Sequence, residues 1–314
     1  MKFDRSVPAG SPSNVNRQRG CYLDNVYVGT QLLPMAVSGM KLTRFGSANS
    51  EDAVTWNVFI GLLGDHDLVV PEAISGFPGA ELPLKYAELL LWGQSVHSDH
   101  THVSVIDVLK MTQDKIEANP RQLSEIEVVL WNPHLHRLTF VEAKLKAGIG
   151  VCSAVSSSRG ARKATADCRM FRTSKRARDN GCSYWGIGKG GASFSKRFPK
   201  DHVRPHLRFD PPIQGQEEKA PCARLYQLMR NAIIGREMAD ALPTQIRGTV
   251  DFHFIAIVAQ GHFNSKPYQE FASCIKDKTR IRFGVISWQN IRDEVRQSAG
   301  RLDVADYLGG HTCL

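Results

Sequence analysis

The chain has 314 residues, 42% of them hydrophobic and 23% charged, close to an average globular protein. A chain this long buries about three quarters of its unfolded surface, so disulfides and structural metal are not needed for stability; the composition also excludes collagen, mucin, coiled coil and wholesale disorder. The net charge of +9, from 40 Lys+Arg against 31 Asp+Glu, is local: Lys146 to Arg208 holds 15 Lys/Arg and 3 Asp/Glu, an excess of +12 that leaves −3 for the rest.

No run approaches roughly 18 consecutive apolar residues, so no transmembrane helix is expected. The first twenty residues lack the apolar core of a secretory signal, and a cytoplasmic location is the default expectation. The seven cysteines, Cys21, Cys152, Cys168, Cys182, Cys222, Cys274 and Cys313, are odd in number and scattered, as expected of free thiols in a reducing compartment.

Residues 1–40 are expected to form a flexible arm, with Ser, Pro, Asn, Gly and Arg concentrated in the first twenty. Residues 41–314 are expected to form one α/β domain. Its first helix is signalled over Ser50 to Gly64: Ser50 suits the N-cap, Glu51 and Asp52 suit the positive end of the dipole, and Gly64 suits the C-terminal cap. Residues 81–94 read equally as helix or buried strand. His97, His100 and His102 follow, then the strand-like stretch Val103 to Leu109.

Two clear strands come next, Ser124 to Trp131 and Arg137 to Leu145, joined by the turn Asn132-Pro133-His134-Leu135-His136. So short a connection predicts an antiparallel hairpin. Residues 148–221 show no regular period and read as a basic insertion. A helix begins near Ala223, with Leu225, Leu228, Met229, Ala232 and Ala239 as its buried stripe. Phe252 to Ala259 is a near-continuous apolar strand of the central kind. A strand within Arg280 to Trp288 and a helix over Gln289 to Leu308 close the chain. The order predicts a mixed central sheet flanked by helices on both faces.

The densest basic stretch carries Arg159, Arg162, Lys163, Arg169, Arg172, Lys175, Arg176 and Arg178. Lys and Arg neutralise phosphate and supply most sequence-independent affinity for nucleic acid, and Arg binds phosphate bidentately. A solvated loop is the plainer alternative. No apolar helix face accompanies the charge, so a membrane surface is not the expected partner.

The chemistry-bearing piece is the hairpin. Residues i and i+2 of a strand share a face, so Glu142 and Lys144 project together and Ala143 opposes them. Glu127 on the preceding strand can share their face. Crowded carboxylates need a compensating cation, and a hard divalent ion takes oxygen ligands of this kind. Asp107 is a competing first acid. A surface ion pair between Glu142 and Lys144 is the plainer reading, but the run Leu138-Thr139-Phe140-Val141 is too apolar for an exposed edge strand. His97, His100, His102 and the cysteines lack a committed zinc-ligand spacing.

The segment SEIEVVLWNPHLHRLTFVEAKLK resembles the PD-(D/E)xK nuclease superfamily, which has a restriction-endonuclease-like fold. The family pattern puts an acid on one strand and (D/E)xK on the next, here Glu127 and Glu142-Ala143-Lys144. The likeness covers roughly residues 50 to 260 and implies further roles: Glu51 as an acid on the first helix and Gln227 as the glutamine after the (D/E)xK strand. The chain departs from the pattern in having Glu for the first Asp and Ile126 before it. The resemblance implies a restriction-endonuclease-like core with Mg²⁺ (or Mn²⁺) held by Glu127, Glu142, the Ala143 carbonyl and Glu51. Glu127, Glu142, Lys144 and Gln227 form the implied catalytic set, and Arg230 joins the basic segment as a phosphate contact. The expected activity is that of a metal-dependent DNA endonuclease. A homodimer is one implied arrangement, because restriction-type enzymes often work in pairs. A non-catalytic nucleic-acid-binding protein of the same fold and an RNA-directed nuclease are the alternatives.

Overall fold

The computed structural model describes residues 45, 50–63, 74, 88–96, 105–117, 125–133, 135–146, 148–152, 155, 182, 184–185, 201–242, 248–297 and 302–311. The expected N-terminal arm, the three histidines between 97 and 102, Cys168 and the basic run from Arg159 to Arg178 lie outside the described residues.

The strands are β1 (Glu88–Leu91), β2 (Gln94–Ser95), β3 (Val128–Asn132), β4 (Arg137–Lys144), β5 (Asp251–Val258) and β6 (Arg282–Ser287). They form one mixed sheet in the order β2–β1–β3–β4–β5–β6. The first four pair antiparallel, whereas β5 joins β4 and β6 joins β5 in parallel. The predicted hairpin is present, with Val128 opposite Val141 and Asn132 opposite Arg137. Asn132 makes the turn: its Oδ1 accepts from Leu135 N–H at 3.0 Å, the local bond that suits Asn to turns.

Among the described residues, the longer helices are α1 (Glu51–Leu62), α2 (Val105–Ile116), α3 (Tyr226–Ala241), α4 (Lys266–Cys274), α5 (Trp288–Gln297) and α6 (Leu302–Gly310). β4 and β5 are buried along nearly their whole length, which is why they read as apolar runs. Their alternate side chains feed two cores. Leu138, Phe140, Phe252, Phe254 and Ala256 pack under α2, α3 and α4. Val141, Ala143, Ile255 and Ile257 pack under α1, α5 and α6. α1 is buried on every side from Ala53 to Leu62, as a helix apolar all round must be. Its Ser50 cap forms as expected, accepting from Ala53 N–H at 3.1 Å. α3 lies so close to β5 that a Cβ on Gly235 would strike the Phe252 ring.

Four expectations need correction. Of the expected strand Val103 to Leu109, the described residues, from Val105 on, are helical. They begin α2, whose Val105, Val108, Leu109, Thr112 and Ile116 are buried, so the alternation ending at Leu109 was the start of a 3.6-residue period. Asp107 is therefore an exposed helical residue, far in kind from a strand-end acid. The closing helix is two helices, α5 and α6, the first of which starts at Trp288. α4 was not foreseen; only Tyr268 and Phe271 among its nine residues are buried, too few to make a periodic signal. Of residues 81–94, the strand reading holds for Glu88–Leu91. The end of the expected insertion is packed into the body of the protein, where Val203, Leu207 and Phe209 are buried and Leu207 bridges to Ile275.

Candidate active site

β4 is an inner strand, flanked by β3 and β5, and its C-terminal end is where the chemistry-bearing residues meet. Glu142 and Lys144 lie on the α3 side of the sheet, while Ala143 between them is buried in the opposite core. Glu127 stands one residue before β3. Its carbonyl accepts from Trp92 N–H at 3.0 Å, which holds it beside the end of β1. Its side chain turns toward β4, with Oε2 accepting from Ala143 N–H at 2.5 Å. Glu51 opens α1 on the other face of the sheet and reaches around the strand end, accepting from Leu145 N–H at 3.0 Å.

These carboxylates converge on one ammonium group. Lys144 Nζ lies 2.6 Å from Glu142 Oε1, 3.3 Å from Glu127 Oε1 and 3.5 Å from Glu51 Oε2. The cluster is largely out of water: the side chains of Glu142, Lys144, Glu127 and Glu51 are 2%, 9%, 12% and 21% exposed. Exposure rises toward Glu51, so the open side is the α1 side.

The helix α3 supplies the amides. Gln227 Nε2–H donates to Glu142 Oε1, and Asn231 Nδ2–H donates to Glu142 Oε2 at 2.7 Å. Gln227 is itself held by Gly150, whose N–H donates to Gln227 Oε1 at 2.8 Å. Tyr268 of α4 is buried within electrostatic range of Lys144 and all three carboxylates.

The electrostatics follow from burial and crowding. Burial first, then the Glu142 charge, push the Glu127 carboxyl well above the usual carboxylate range; Lys144 and the Ala143 N–H offset this only in part. Burial disfavours the charged form of Lys144, but Glu127, Glu142 and Glu51 outweigh it and raise its pKa above the ordinary value. Burial raises the Tyr268 phenol to about 12, so it stays protonated. Desolvating ionised groups costs several kcal/mol per ion, so a cluster of this kind is poor fold design and a good sign of function.

No protein-family model, curated protein or solved structure matches the chain.

Among the described residues, no group of three or more His, Cys, Asp or Glu side chains is set at metal-ligand geometry. In the carboxylate cluster it is the Lys144 ammonium that sits among the three acids. The donor set nevertheless suits a hard divalent ion. It is all oxygen, as Mg²⁺ and Mn²⁺ prefer, and three carboxylates against one ammonium leave negative charge uncompensated.

The structure thus brings Glu51, Glu127, Glu142, Lys144 and Gln227 together. Arg230, on the next position round α3, is half-buried, with its guanidinium over the Tyr226 ring at 5.9 Å and its Nε–H donating to Asn231 Oδ1 at 3.2 Å. Arg159, Arg162, Lys163, Arg169, Arg172, Lys175, Arg176 and Arg178 belong to the residues not described. Among the described residues, Cys152 and Cys274 are free thiols. No described helix is long and apolar enough to cross a membrane. Sequence reasoning missed Tyr268 and gave Asn231 no role of its own, although it is fully buried.

Proposed function

We propose that the protein is a metal-dependent DNA endonuclease with a restriction-endonuclease-like core. The observation that carries this reading is the meeting of Glu51, Glu127 and Glu142, from three separate segments, around Lys144 at the end of a central strand. In an α/β sheet, ligands bind beyond the carboxyl ends of the parallel strands, and β4 ends there with Lys144 paired to Val258 of β5.

Glu127, Glu142, Glu51 and the Ala143 carbonyl would hold Mg²⁺ or Mn²⁺. When bound, such an ion acidifies a water and neutralises charge on a phosphodiester. The chain's own residues do the rest. Lys144 releases Glu142 Oε1, keeps its proton, and donates hydrogen bonds to the attacking water and to a phosphoryl oxygen. Gln227 holds Glu142 in place while Lys144 moves. The water oxygen adds to phosphorus and gives up one proton to solvent, the bond to the leaving sugar oxygen breaks, and that oxygen takes a proton from solvent to leave as the alcohol. The basic segment and Arg230 supply phosphate contacts along the polynucleotide.

The test is Mg²⁺-dependent nicking or cleavage of duplex DNA by the full chain, which disappears in Glu142→Ala and in Lys144→Ala. Undiminished cleavage by both variants overturns the assignment. Salt-sensitive DNA binding without cleavage, surviving Glu142→Ala, would mark a non-catalytic binding protein instead. Competition between duplex DNA and RNA separates the two nuclease substrates.

A further inference from the structure

We infer that Asn231 is a positioning residue for Glu142, holding Oε2 and so setting the direction in which that carboxylate offers Oε1 to a divalent cation. The inference deepens the nuclease reading of the same cluster and rests on it.

Asn231 sits mid-helix on α3 with no exposed surface. Burying an amide costs free energy unless both of its ends are bonded. Here both are. Oδ1 accepts from Arg230 Nε–H at 3.2 Å, and Nδ2–H donates to Glu142 Oε2 at 2.7 Å. The orientation is dictated rather than optional: Arg is a donor only and an ionised carboxylate is an acceptor only, so the amide can face them in just one way. An apolar residue of the same size would fill the space, so packing alone does not require Asn.

The two oxygens of Glu142 are held differently. Oε1 takes Gln227 and Lys144, and Lys144 is the partner that a cation would displace. Once Lys144 lets go, Gln227 alone leaves the carboxylate free to swivel. Asn231 on Oε2 removes that freedom. Outer partners of metal-binding carboxylates commonly set affinity by tenfold or more, because they fix the ligand before the ion arrives.

The experiment is Mn²⁺ binding to the full chain, followed by electron paramagnetic resonance and calorimetry, with melting temperature recorded for each variant. Asn231→Leu keeps the volume and removes the bond; the expected result is a Kd for Mn²⁺ raised about tenfold or more. Arg230→Met leaves Asn231 in place but frees its amide to flip, and is expected to raise the Kd by a smaller factor. That variant carries the test if Asn231→Leu does not fold. Variants that melt lower yet bind Mn²⁺ as the parent does would reduce Asn231 to a packing residue and overturn the inference. If the parent binds, Glu142→Ala does not, and neither Asn231→Leu nor Arg230→Met shifts the Kd, the nuclease reading stands and this inference alone falls. A parent protein that binds no Mn²⁺ brings down both.

Discussion

Gly150 and Gln227 grip each other at two points: Gly150 N–H donates to Gln227 Oε1 at 2.8 Å, and Gln227 N–H donates to the Gly150 carbonyl at 3.1 Å. The segment leaving β4 is thereby fastened to the start of α3, and the side chain that bonds Glu142 is fixed from behind. No methyl group fits between them, because a Cβ on residue 150 would lie 2.8 Å from Gln227 Oε1.

Gly150→Ala is therefore expected to push Gln227 off Glu142 with little loss elsewhere. DNA cleavage should fall about tenfold, equivalent to about 1.4 kcal/mol in the barrier, while the melting temperature drops by only a few degrees. Steady-state kinetics beside a thermal melt check this; unchanged kinetics would mean that Gln227 does not act on Glu142.

Lys144 stands in for a cation, and removing it has two opposite effects. Lys144→Met leaves three carboxylates facing one another, and breaking a buried charge cluster costs about 3–5 kcal/mol. The variant should melt well below the parent in chelator, recover most of the loss when Mn²⁺ is added, and bind Mn²⁺ more tightly than the parent. It should not cleave DNA. Paired melts with and without Mn²⁺ read all but the last of these.

The parent protein should also gain stability from the ion, since a ligand that binds only the folded state stabilises it by mass action. At ten times Kd the gain is about 1.4 kcal/mol, or roughly 2 °C in melting temperature for a chain of this size. Chelator should reverse the shift, and Glu142→Ala should abolish it.

At the opposite end of the sheet, Asp251 joins β5 to its neighbours. Its Oδ2 lies 3.2 Å from Arg137 Nη2 and 2.9 Å from His253 Nε2, and its Oδ1 lies 3.2 Å from Arg282 Nε. Burial would raise its pKa, but the hydrogen bond to His253 and the charges of His253, Arg282 and Arg137 lower it below the ordinary value. A carboxylate depressed in the fold stabilises it above the unfolded pKa, about 3.9, and that contribution is lost as pH falls through the lower folded value. Asp251→Asn should cost about 1 kcal/mol at pH 7, and the gap to the parent should close as pH falls through the lowered Asp251 value. Denaturant melts across that range give the answer.

The hairpin and its acids were legible because a strand repeats every two residues: once Glu142 and Lys144 are on a strand, they must share a face. The apolar run of β4 also announced that this face would be covered. Asn231 was not legible for a related reason. Gln227, Arg230 and Asn231 fall together at helical spacing, and a polar helix face ordinarily meets water. The available signal was the apolar residues on both sides, Leu228 and Met229 before and Ala232 to Ile234 after, which leave no wet face for Asn231. Tyr268 gave no signal, because its contact with the site depends on where α4 docks.

The cluster draws Glu51 from the layer on one side of the sheet, Gln227 and Asn231 from the layer on the other, and Glu142 and Lys144 from the sheet between. A polypeptide still emerging from the ribosome lacks the full set until residue 231 has been made and all three layers have closed. On the nuclease reading, unfinished or partly folded copies would lack the complete set of side chains that cleavage requires.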